Sequence, residues 1–285
     1  MTVGDVIAVL KAAVPDMPKE GPLDGSNDTL KVGDEKSEIT GIVTTFLATA
    51  EVIEKTVALG ANLIITHEPT FYYYDDSPET FPGDPVLQRK RKRLEANNIT
   101  IFRYHDYWHM HRPDGIYTGV VRQMGWQKFL EKPLEPAAKT GSSQGWQDSL
   151  EGHSQYVFLL PPTSFRDITK QIKTIFGVES VQLVGDEDAL HERVGLFVGS
   201  PGPHFQLPAI TEHKLDLLIC GEVDEWALTE YVRDAQTYGR KLGLIIVGHQ
   251  PSEEAGTAYL AEWLAPKLPE IPITHIPSGY PLRTA

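Results

Sequence analysis

The sequence predicts an α/β protein made of two related halves with mixed sheets. Segments rich in Val, Ile and Thr alternate with amphipathic helical segments, a pattern typical of this class. Asn62 to Tyr72 (NLIITHEPTFY) and Leu244 to Glu253 (LIIVGHQPSE) each contain an aliphatic strand that ends on a histidine shortly before a proline. Ligands in α/β proteins gather at the carboxyl ends of strands. We therefore expect a functional site at these strand ends, between the two halves.

The first part of the chain contains a predicted β-α-β unit. Thr49 is expected to cap its helix and Gly60 to end it, which implies parallel strands with a right-handed crossover. The predicted elements are helices over Val3 to Val14, Thr49 to Leu59, Val86 to Asn97 and Asp114 to Met124, and strands over Lys31 to Asp34, Glu38 to Leu47, Asn62 to Thr66 and Ile99 to Arg103.

The second part repeats the alternation of strands and helices. Thr163 or Ser164 is expected to cap one helix, and Ser252 to cap another that begins at Glu253. The predicted elements are strands over Tyr156 to Leu160, Val181 to Val184, Arg193 to Val198, Leu215 to Cys220 and Gly243 to Val247, helices over Phe165 to Phe176, Asp224 to Tyr238 and Glu253 to Leu264, and a glycine and proline turn over Gly199 to Pro203.

Proline-rich or polar stretches divide these elements. Irregular structure is predicted for Pro15 to Asp28 and for Thr70 to Pro85, which follows a histidine and could be a lid. Glu131 to Gly152 is predicted to be a boundary followed by a hairpin or linker. A length of 285 residues suits one or two domains. We expect residues 1–130 plus 243–285 to form a first domain that carries most metal ligands, and residues 131–242 to form an inserted second domain.

Composition narrows the class of protein. The formal charge of -13 argues against a nucleic-acid partner, because binding phosphates requires many Lys and Arg side chains. The basic run Gln88 to Arg93 is interpreted as the solvated face of a helix. A single cysteine, Cys220, excludes an intramolecular disulfide and suits a reducing compartment. With neither a signal peptide nor a long apolar span, the chain is expected to be cytoplasmic and to have no membrane partner.

Side chains that could bind a metal cluster at three predicted strand ends. His67 and Glu68 end one strand, and His249 and Glu253 follow another at a spacing of four residues. The densest group follows the strand that ends at Arg103, and it consists of His105, Asp106, His109 and His111. Imidazoles and carboxylates suit divalent transition metals. Three such groups at three strand ends favour a metal site, whereas any one histidine alone would more often be structural.

Other chemistries lack their motifs in this sequence. There is no Gly-x-Ser-x-Gly elbow, no glycine-rich phosphate loop with a lysine and no cysteine pair at zinc spacing. The remaining histidines stand alone and are interpreted as surface or structural residues: His153, His191, His204, His213 and His275. Glu222 follows another strand and has two interpretations, as a residue that touches the site or as a carboxylate at a helix start.

Several of these segments, in the same order, are similar to one known family. They are Val32-Gly33-Asp34, Leu63 to His67, Ile101 to His109, Val184-Gly185-Asp186, Val194 to Ser200, Gly221-Glu222, and Gly248-His249 with Ser252-Glu253. Over nearly its whole length the chain resembles the Nif-three-like dinuclear metal-centre proteins, often labelled GTP cyclohydrolase type 2 homologs. The resemblance implies two α/β halves of the Nif-three-like fold.

The resemblance also implies a set of metal ligands: His67, Glu68, His109, His249 and Glu253. Glu68 stands where the family usually has a second histidine, and His109 stands where it has an aspartate. This double exchange preserves the numbers of imidazoles and carboxylates, so both residues are expected near the same metal. Whether Asp106 contributes instead of His109, or beside it, stays open.

From the resemblance we expect two divalent metal ions (Zn, Fe, Mn or Ni) and a hydrolase or cyclohydrolase that acts on a small substrate, with nucleotide-like molecules among the candidates. Glu222, His105 and Asp106 are the candidate catalytic residues, and Tyr72, Tyr107 and Trp108 are candidates for stacking on a flat substrate. The subunits are expected to form a ring, commonly of six copies. The alternative is a metal-binding, sensor or assembly protein without turnover.

Overall fold

The structure is a computed structural model that describes residues 1–14, 26–77, 79, 81–131 and 156–284. Most of the predicted loop Pro15 to Asp28 and of the predicted linker Glu131 to Gly152 lies outside these residues. The described residues form two compact units. The first comprises those up to residue 119 together with 256–278, and the second comprises those of 120–255 together with 279–284.

The helices and strands alternate along the chain as an α/β class requires. Before residue 132 they are α1 (Val3–Ala12), β1 (Leu30–Val32), β2 (Ile42–Thr45), α2 (Ala50–Ala58), β3 (Leu63–Thr66), α3 (Pro85–Ala96), β4 (Thr100–Arg103), α4 (Asp106–Met110) and α5 (Gly115–Met124). After residue 155 they are β5 (Tyr156–Ser164), α6 (Phe165–Phe176), β6 (Gln182–Val184), β7 (Leu190–Phe197), α7 (Pro203–Glu212), β8 (Leu217–Cys220), α8 (Glu230–Thr237), β9 (Gly243–Ile246), α9 (His249–Leu264) and β10 (Ile273–His275).

Each unit contains one mixed five-stranded sheet. In the first unit the order is β1-β4-β3-β2-β10, and only the edge strand β1 is antiparallel to its neighbour. In the second unit the order is β5-β7-β8-β9-β6, with parallel central strands and an antiparallel strand at each edge. The predicted α/β class with mixed sheets is confirmed.

Short polar side chains begin the helices where the sequence predicted caps. The Thr49 hydroxyl accepts a hydrogen bond from the Val52 amide at 3.2 Å and so caps α2. The Ser164 hydroxyl caps α6 in the same way through Asp167 N at 3.1 Å. Gly177 then ends α6 with φ of 64°, a left-handed conformation that glycine adopts without strain.

Parallel pairing brings the strand ends of each sheet to one edge. Thr45, Thr66 and Arg103 are register partners at the ends of β2, β3 and β4. Residues that directly follow β3 and β4 therefore emerge side by side, and these include His67 and His105. The second sheet has the same design, since Phe197, Cys220 and Ile246 are register partners at the ends of β7, β8 and β9.

Four features of the fold differ from the sequence-based expectations. Helix α7 was not predicted because its segment contains Pro203 at the helix start and Pro208 inside it. Strand β5 continues past Pro161 to Ser164, which an edge strand with a register irregularity tolerates. Strand β10 is short and gains its order by pairing with β2. Strand β9 pairs with β8 in the second unit, although the predicted first domain included residues 243–285.

Candidate metal centre

His67 leaves the end of β3 and is almost completely buried, with 2% of its surface exposed. Its backbone amide continues the parallel pairing by donating to the Thr45 carbonyl at 3.1 Å. The Thr66 hydroxyl donates to the Glu68 carbonyl at 3.1 Å, so the chain turns directly after β3. The imidazole is thereby fixed at the carboxyl edge of the first sheet.

His105 and His109 lie at the two ends of the short helix α4. The carboxylate of the buried residue Asp28 accepts hydrogen bonds from the amides of His105 (2.9 Å) and Tyr107 (2.8 Å) and so holds the helix start in place. Burial and the nearby charge of Asp106 raise the pKa of Asp28 to about 6, although His105 and the two amides oppose this shift. The helix spacing of four residues then presents both histidines on one face.

The three imidazoles converge within the first unit. The ring centroids of His67 and His105 are 4.4 Å apart and nearly stacked, and those of His105 and His109 are 5.0 Å apart. One potential ligand atom from each of the three residues lies within 4.8 Å of the others. The family resemblance implied that His67 and His109 are ligands and that His105 is catalytic, and the structure brings all three together in one cluster.

An acceptor faces the Nδ1 atom of each of these imidazoles. The pairs are His67 with the Tyr104 carbonyl at 3.3 Å, His105 with Asp106 Oδ1 at 2.8 Å, and His109 with Asp114 Oδ2 at 2.9 Å. A carbonyl or carboxylate oxygen can only accept, so each Nδ1 atom is the donor, and in the neutral imidazole Nε2 then presents its lone pair. Histidines that bind metals show this arrangement, in which the second nitrogen is held by an oxygen.

Asp114 belongs to the candidate metal centre, although the sequence analysis did not identify it. Its side chain is 2% exposed, and Oδ1 accepts the Tyr117 amide at 3.1 Å at the start of α5 while Oδ2 faces His109. An aspartate just before a helix signals a cap. Its second contact depends on the fold, since only the tertiary structure brings the α4 histidine to that oxygen.

The carboxylates Glu68 and Asp106 occupy different positions around the cluster. Glu68 Oε1 lies 3.7 Å from His105 Nε2, and a Glu68 oxygen lies within 4.8 Å of the His67 ligand atom. Asp106 instead accepts hydrogen bonds from Ser26 Oγ and His105. Burial raises the pKa of Asp106, but His105, Ser26 and Arg103 outweigh it and lower the pKa to about 2. Asp106 is therefore an ionised partner that orients His105.

The second unit carries the other predicted residues at the start of α9. His249 Nε2 lies 3.1 Å from Glu253 Oε2 one helical turn away, and His249 Nδ1 lies 3.5 Å from Glu222 Oε2. The Glu253 side chain is 3% exposed, whereas that of Glu222 is 56% exposed. Glu222, which had two interpretations, thus lies beside a predicted ligand and remains accessible to water.

The start of α9 differs from the prediction in one respect. The helix begins at His249, so the expectation that Ser252 caps a helix starting at Glu253 was wrong. Ser252 lies in the first turn, where its hydroxyl donates to the His249 carbonyl and accepts from the Gly199 amide at 2.9 Å. Gly199 has φ of 65°, and a Cβ atom there would collide with the Glu253 carboxylate. Glycine at this position lets the backbone approach Glu253 closely.

Two of the three aromatic residues predicted to stack on a substrate are part of the core. Tyr107 and Trp108 are 0% and 1% exposed. Trp108 Nε1 donates to the Gly256 carbonyl at 3.1 Å, and its indole fills the space beside Gly115, where a Cβ atom would overlap the ring. These side chains fix α4 and cannot contact a substrate, so the expectation for them was wrong.

The donors in the first unit fit a divalent transition metal. Imidazole nitrogens together with a carboxylate oxygen match the preferences of Zn, Fe, Mn and Ni. Each imidazole is held by an oxygen on its far nitrogen, and the side chains of His105 and Glu68 are 23% and 17% exposed. The described residues thus form a cluster that could hold a metal and that solvent can reach.

Comparison with known proteins defines the class. A model of the Duf34/NIF3 family (NGG1p interacting factor 3) matches residues 1–279. The chain therefore belongs to this family, and the resemblance seen in its motifs is confirmed.

Its relatives include proteins named GTP cyclohydrolase 1 type 2 homolog. The one from Clostridium perfringens is 28% identical over 255 residues, which cover 89% of this chain and 87% of the relative. The one from Clostridium acetobutylicum is 24% identical over 263 residues, which cover 90% and 91% of the two chains.

Solved structures agree with this fold. A Staphylococcus aureus hypothetical protein aligns with a TM-score of 0.74 at 18% identity, covering 100% of this chain and 99% of its own. A Bacillus cereus protein related to NIF3 aligns with a TM-score of 0.73 at 14% identity and the same coverage. In the part of the chain that the structure describes, no helix has the length and apolarity needed to cross a bilayer.

Proposed function

We propose that the protein is a metal-dependent hydrolase or cyclohydrolase that binds two divalent metal ions through His67, Glu68, His109, His249 and Glu253. The observation that supports this most strongly is the cluster of His67, His105 and His109, with an acceptor at every Nδ1 atom. Three buried or partly buried imidazoles oriented in this way are costly to assemble unless their lone pairs are used.

The residues around the cluster suit hydrolytic chemistry. When bound, a pair of divalent ions would supply Lewis-acid activation of the attacked centre. Asp106 keeps the proton of His105 on Nδ1, so His105 Nε2 can bind a ligand or accept a proton. Glu222 is half exposed beside His249, a position suited to exchanging protons with solvent. We propose Glu222, His105 and Asp106 as the residues that move or orient protons.

The substrate is proposed to be small, with a nucleotide as the first candidate. The support is the name of the relatives, GTP cyclohydrolase 1 type 2 homolog. The solvent exposure of His105 and Glu68 favours turnover over a closed structural site. The same proposal includes a homo-oligomeric ring of about six subunits, as the family resemblance implies, and a cytoplasmic location, as the composition predicts.

Metal analysis of the purified protein tests the proposal. Wild type prepared without chelator should contain about two metal ions per chain, and His109→Ala should retain less than about one. His204→Ala removes an exposed histidine and should match wild type. Wild type with no bound metal, or equal metal in His109→Ala, would overturn the site assignment.

A panel of nucleotides and phosphoesters then tests catalysis. Loaded wild type should hydrolyse at least one member of the panel, and His109→Ala should lose that activity while His204→Ala keeps it. Metal bound at full stoichiometry without any turnover would instead support the alternative, a metal-binding sensor or assembly protein.

A further inference from the structure

A loop of exposed tyrosines follows the strand end that carries His67. We call residues 70–76 the tyrosine loop, because Tyr72, Tyr73 and Tyr74 are 54%, 51% and 54% exposed. Three consecutive large aromatic side chains at a surface leave apolar area in contact with water. Such exposed area is common at binding sites.

Three cationic side chains fasten the backbone of this loop. Lys90 Nζ donates to the Thr70 carbonyl at 2.5 Å, Arg103 Nη1 to the Tyr74 carbonyl at 2.9 Å, and Lys31 Nζ to the Asp75 carbonyl at 3.3 Å. Lys90 and Arg103 are themselves buried, with 6% and 3% of their surface exposed. Burying a charged group costs free energy unless the group is hydrogen-bonded, and here the loop carbonyls are the acceptors. These hydrogen bonds hold the loop in one conformation.

The backbone of the tyrosine loop is strained where it turns. Tyr72 and Asp76 have φ of 64° and 52°, in the left-handed region that residues with side chains seldom adopt. The buried Asp76 carboxylate accepts the Phe71 amide at 2.6 Å and helps to hold this turn. Strain of this kind persists where surrounding contacts outweigh it, and it clusters at ligand sites.

The three tyrosine rings have different neighbours. Lys90 Nζ lies 4.5 Å from the centre of the Tyr72 ring, and the Phe81 ring meets Tyr73 edge-on at 5.8 Å. Tyr74 lies under the Arg103 guanidinium, at 5.9 Å from the ring centre. Arg103 Nε also donates to the His67 carbonyl at 3.4 Å. One side chain therefore joins Tyr74 to the strand end that carries the first imidazole.

Tyr74 also lies within electrostatic range of the carboxylates of the candidate centre. Burial raises the pKa of the Tyr74 phenol, Asp106 and Glu68 raise it further, and Arg103 opposes them. The hydroxyl therefore stays protonated and can donate a hydrogen bond. Over half of the side chain is exposed beside this acidic group.

We propose that Tyr74 is a substrate-binding residue that stacks on a planar heteroaromatic ring with N–H donors, such as a nucleobase. This inference rests on the proposed function and names the part of the substrate that the first unit recognises. Arg103 contacts the Tyr74 ring from one side. The exposed part of the Tyr74 ring can stack on a base, and such stacking accepts any base. Asp106 is not one of the proposed metal ligands, so its carboxylate can accept a hydrogen bond from a ring N–H group. Stacking recognises the flat face of the base and not the phosphates, so the base is the group bound here.

Calorimetric titration of the full chain, loaded with Mn²⁺, with guanosine and with cytidine tests the proposal. Tyr74→Ala should weaken nucleoside binding by about 5- to 100-fold, the loss expected for one stacked base. Tyr74→Phe keeps the ring and should stay within about threefold of wild type, because most of the stacking remains. Tyr73→Ala is the matched control, since its ring has similar exposure but packs on Phe81.

Two further measurements separate this proposal from the proposed function. Metal content should be equal in wild type and in all three variants, and ribose 5-phosphate should show no dependence on Tyr74. Absence of nucleoside binding by metal-loaded wild type would overturn the stacking role and leave the metal assignment intact. Equal losses in Tyr73→Ala and Tyr74→Ala, or loss of metal in Tyr74→Ala, would also overturn it, because the loop would then be structural.

Discussion

The two units place candidate ligands at similar strand ends but hold them in different ways. In the first unit, side-chain and backbone oxygens fix three imidazoles, and one example is Asp114 on His109 at 2.9 Å. In the second unit, Glu253 lies against the bare backbone of Gly199 and one helical turn from His249. The imidazoles of the first unit depend on their hydrogen-bond partners, whereas the position of Glu253 in the second unit depends on the lack of a side chain at Gly199. Substitutions can therefore perturb each unit separately.

The largest expected effect comes from adding one methyl group in the second unit. Gly199→Ala would force a side chain into a left-handed backbone and into the Glu253 carboxylate. We expect the free energy of unfolding to fall by about 4 kcal/mol, from strain and overpacking together. Chemical denaturation monitored by circular dichroism measures this change.

Gly177→Ala is the matched control for the collision. Gly177 has nearly the same φ, 64°, but a Cβ atom there has no atom within 4 Å. This variant should lose only about 1–2 kcal/mol, the cost of the left-handed backbone. Equal losses in the two variants would show that Glu253 does not restrict Gly199.

The alkaline stability of the first unit tests the anchoring of the tyrosine loop. Burial lowers the pKa of Lys90 from 10.5 to about 8, partly opposed by Asp76. Between these two values the unfolded chain binds more protons than the folded protein, so stability rises with pH. Wild type should gain about 2–3 kcal/mol relative to Lys90→Met between about pH 8 and pH 10.5. If the free energies of unfolding of the two proteins changed equally with pH across that window, Lys90 would not have a lowered pKa in the folded protein.

Replacing the partner of His109 tests the hydrogen-bonded arrangement of the first unit. Asp114→Asn should weaken metal binding by about 10- to 100-fold, because the amide orients and polarises the imidazole less effectively. Competition with a fluorescent chelator measures the affinity. Asp84→Asn changes another aspartate at a helix start, whose contacts are the amides of Val86 and Leu87, and it should leave the affinity unchanged. If Asp114→Asn and Asp84→Asn bound metal with similar affinity, Asp114 would not support the metal centre.

The smallest expected effect concerns a feature that the two units share. Thr49→Ala and Ser164→Ala each remove one helix cap, and each should lower the unfolding free energy by about 1 kcal/mol. The caps have similar geometry, with 3.2 and 3.1 Å from hydroxyl to amide. A much larger loss at one of them would show that its hydroxyl has a further structural role.

Local sequence patterns were sufficient for the central strands and the capped helices. The aliphatic runs before His67 and His249 became β3 and β9 because buried parallel strands need nearly continuous apolar residues. These local patterns did not predict the elements whose structure depends on tertiary contacts or is interrupted by proline. Strand β10 has three residues and is ordered by its pairing with β2. Helix α7 was not predicted because its segment contains two prolines, although Pro203 fits the first turn of a helix.

The candidate site was likewise predictable only in part. The rule that ligands gather at strand ends identified His67 and His105, because both follow adjacent parallel strands. No local signal connects Asp28 to the start of α4, since 77 residues separate it from His105. Tyr74 could not be distinguished from Tyr72 by sequence, because the difference between them is the position of Arg103.

The tight enclosure of Trp108 gives the protein an internal optical probe. The indole directly precedes His109 in α4 and is held between glycine backbones and the rings of Tyr259 and Trp263, at 5.8 and 5.5 Å. A shift of α4 cannot leave this ring in place, so its emission wavelength and lifetime would change with the helix. The part of the native fluorescence that comes from Trp108, one of five tryptophans, should therefore report events at the neighbouring histidine without any attached label.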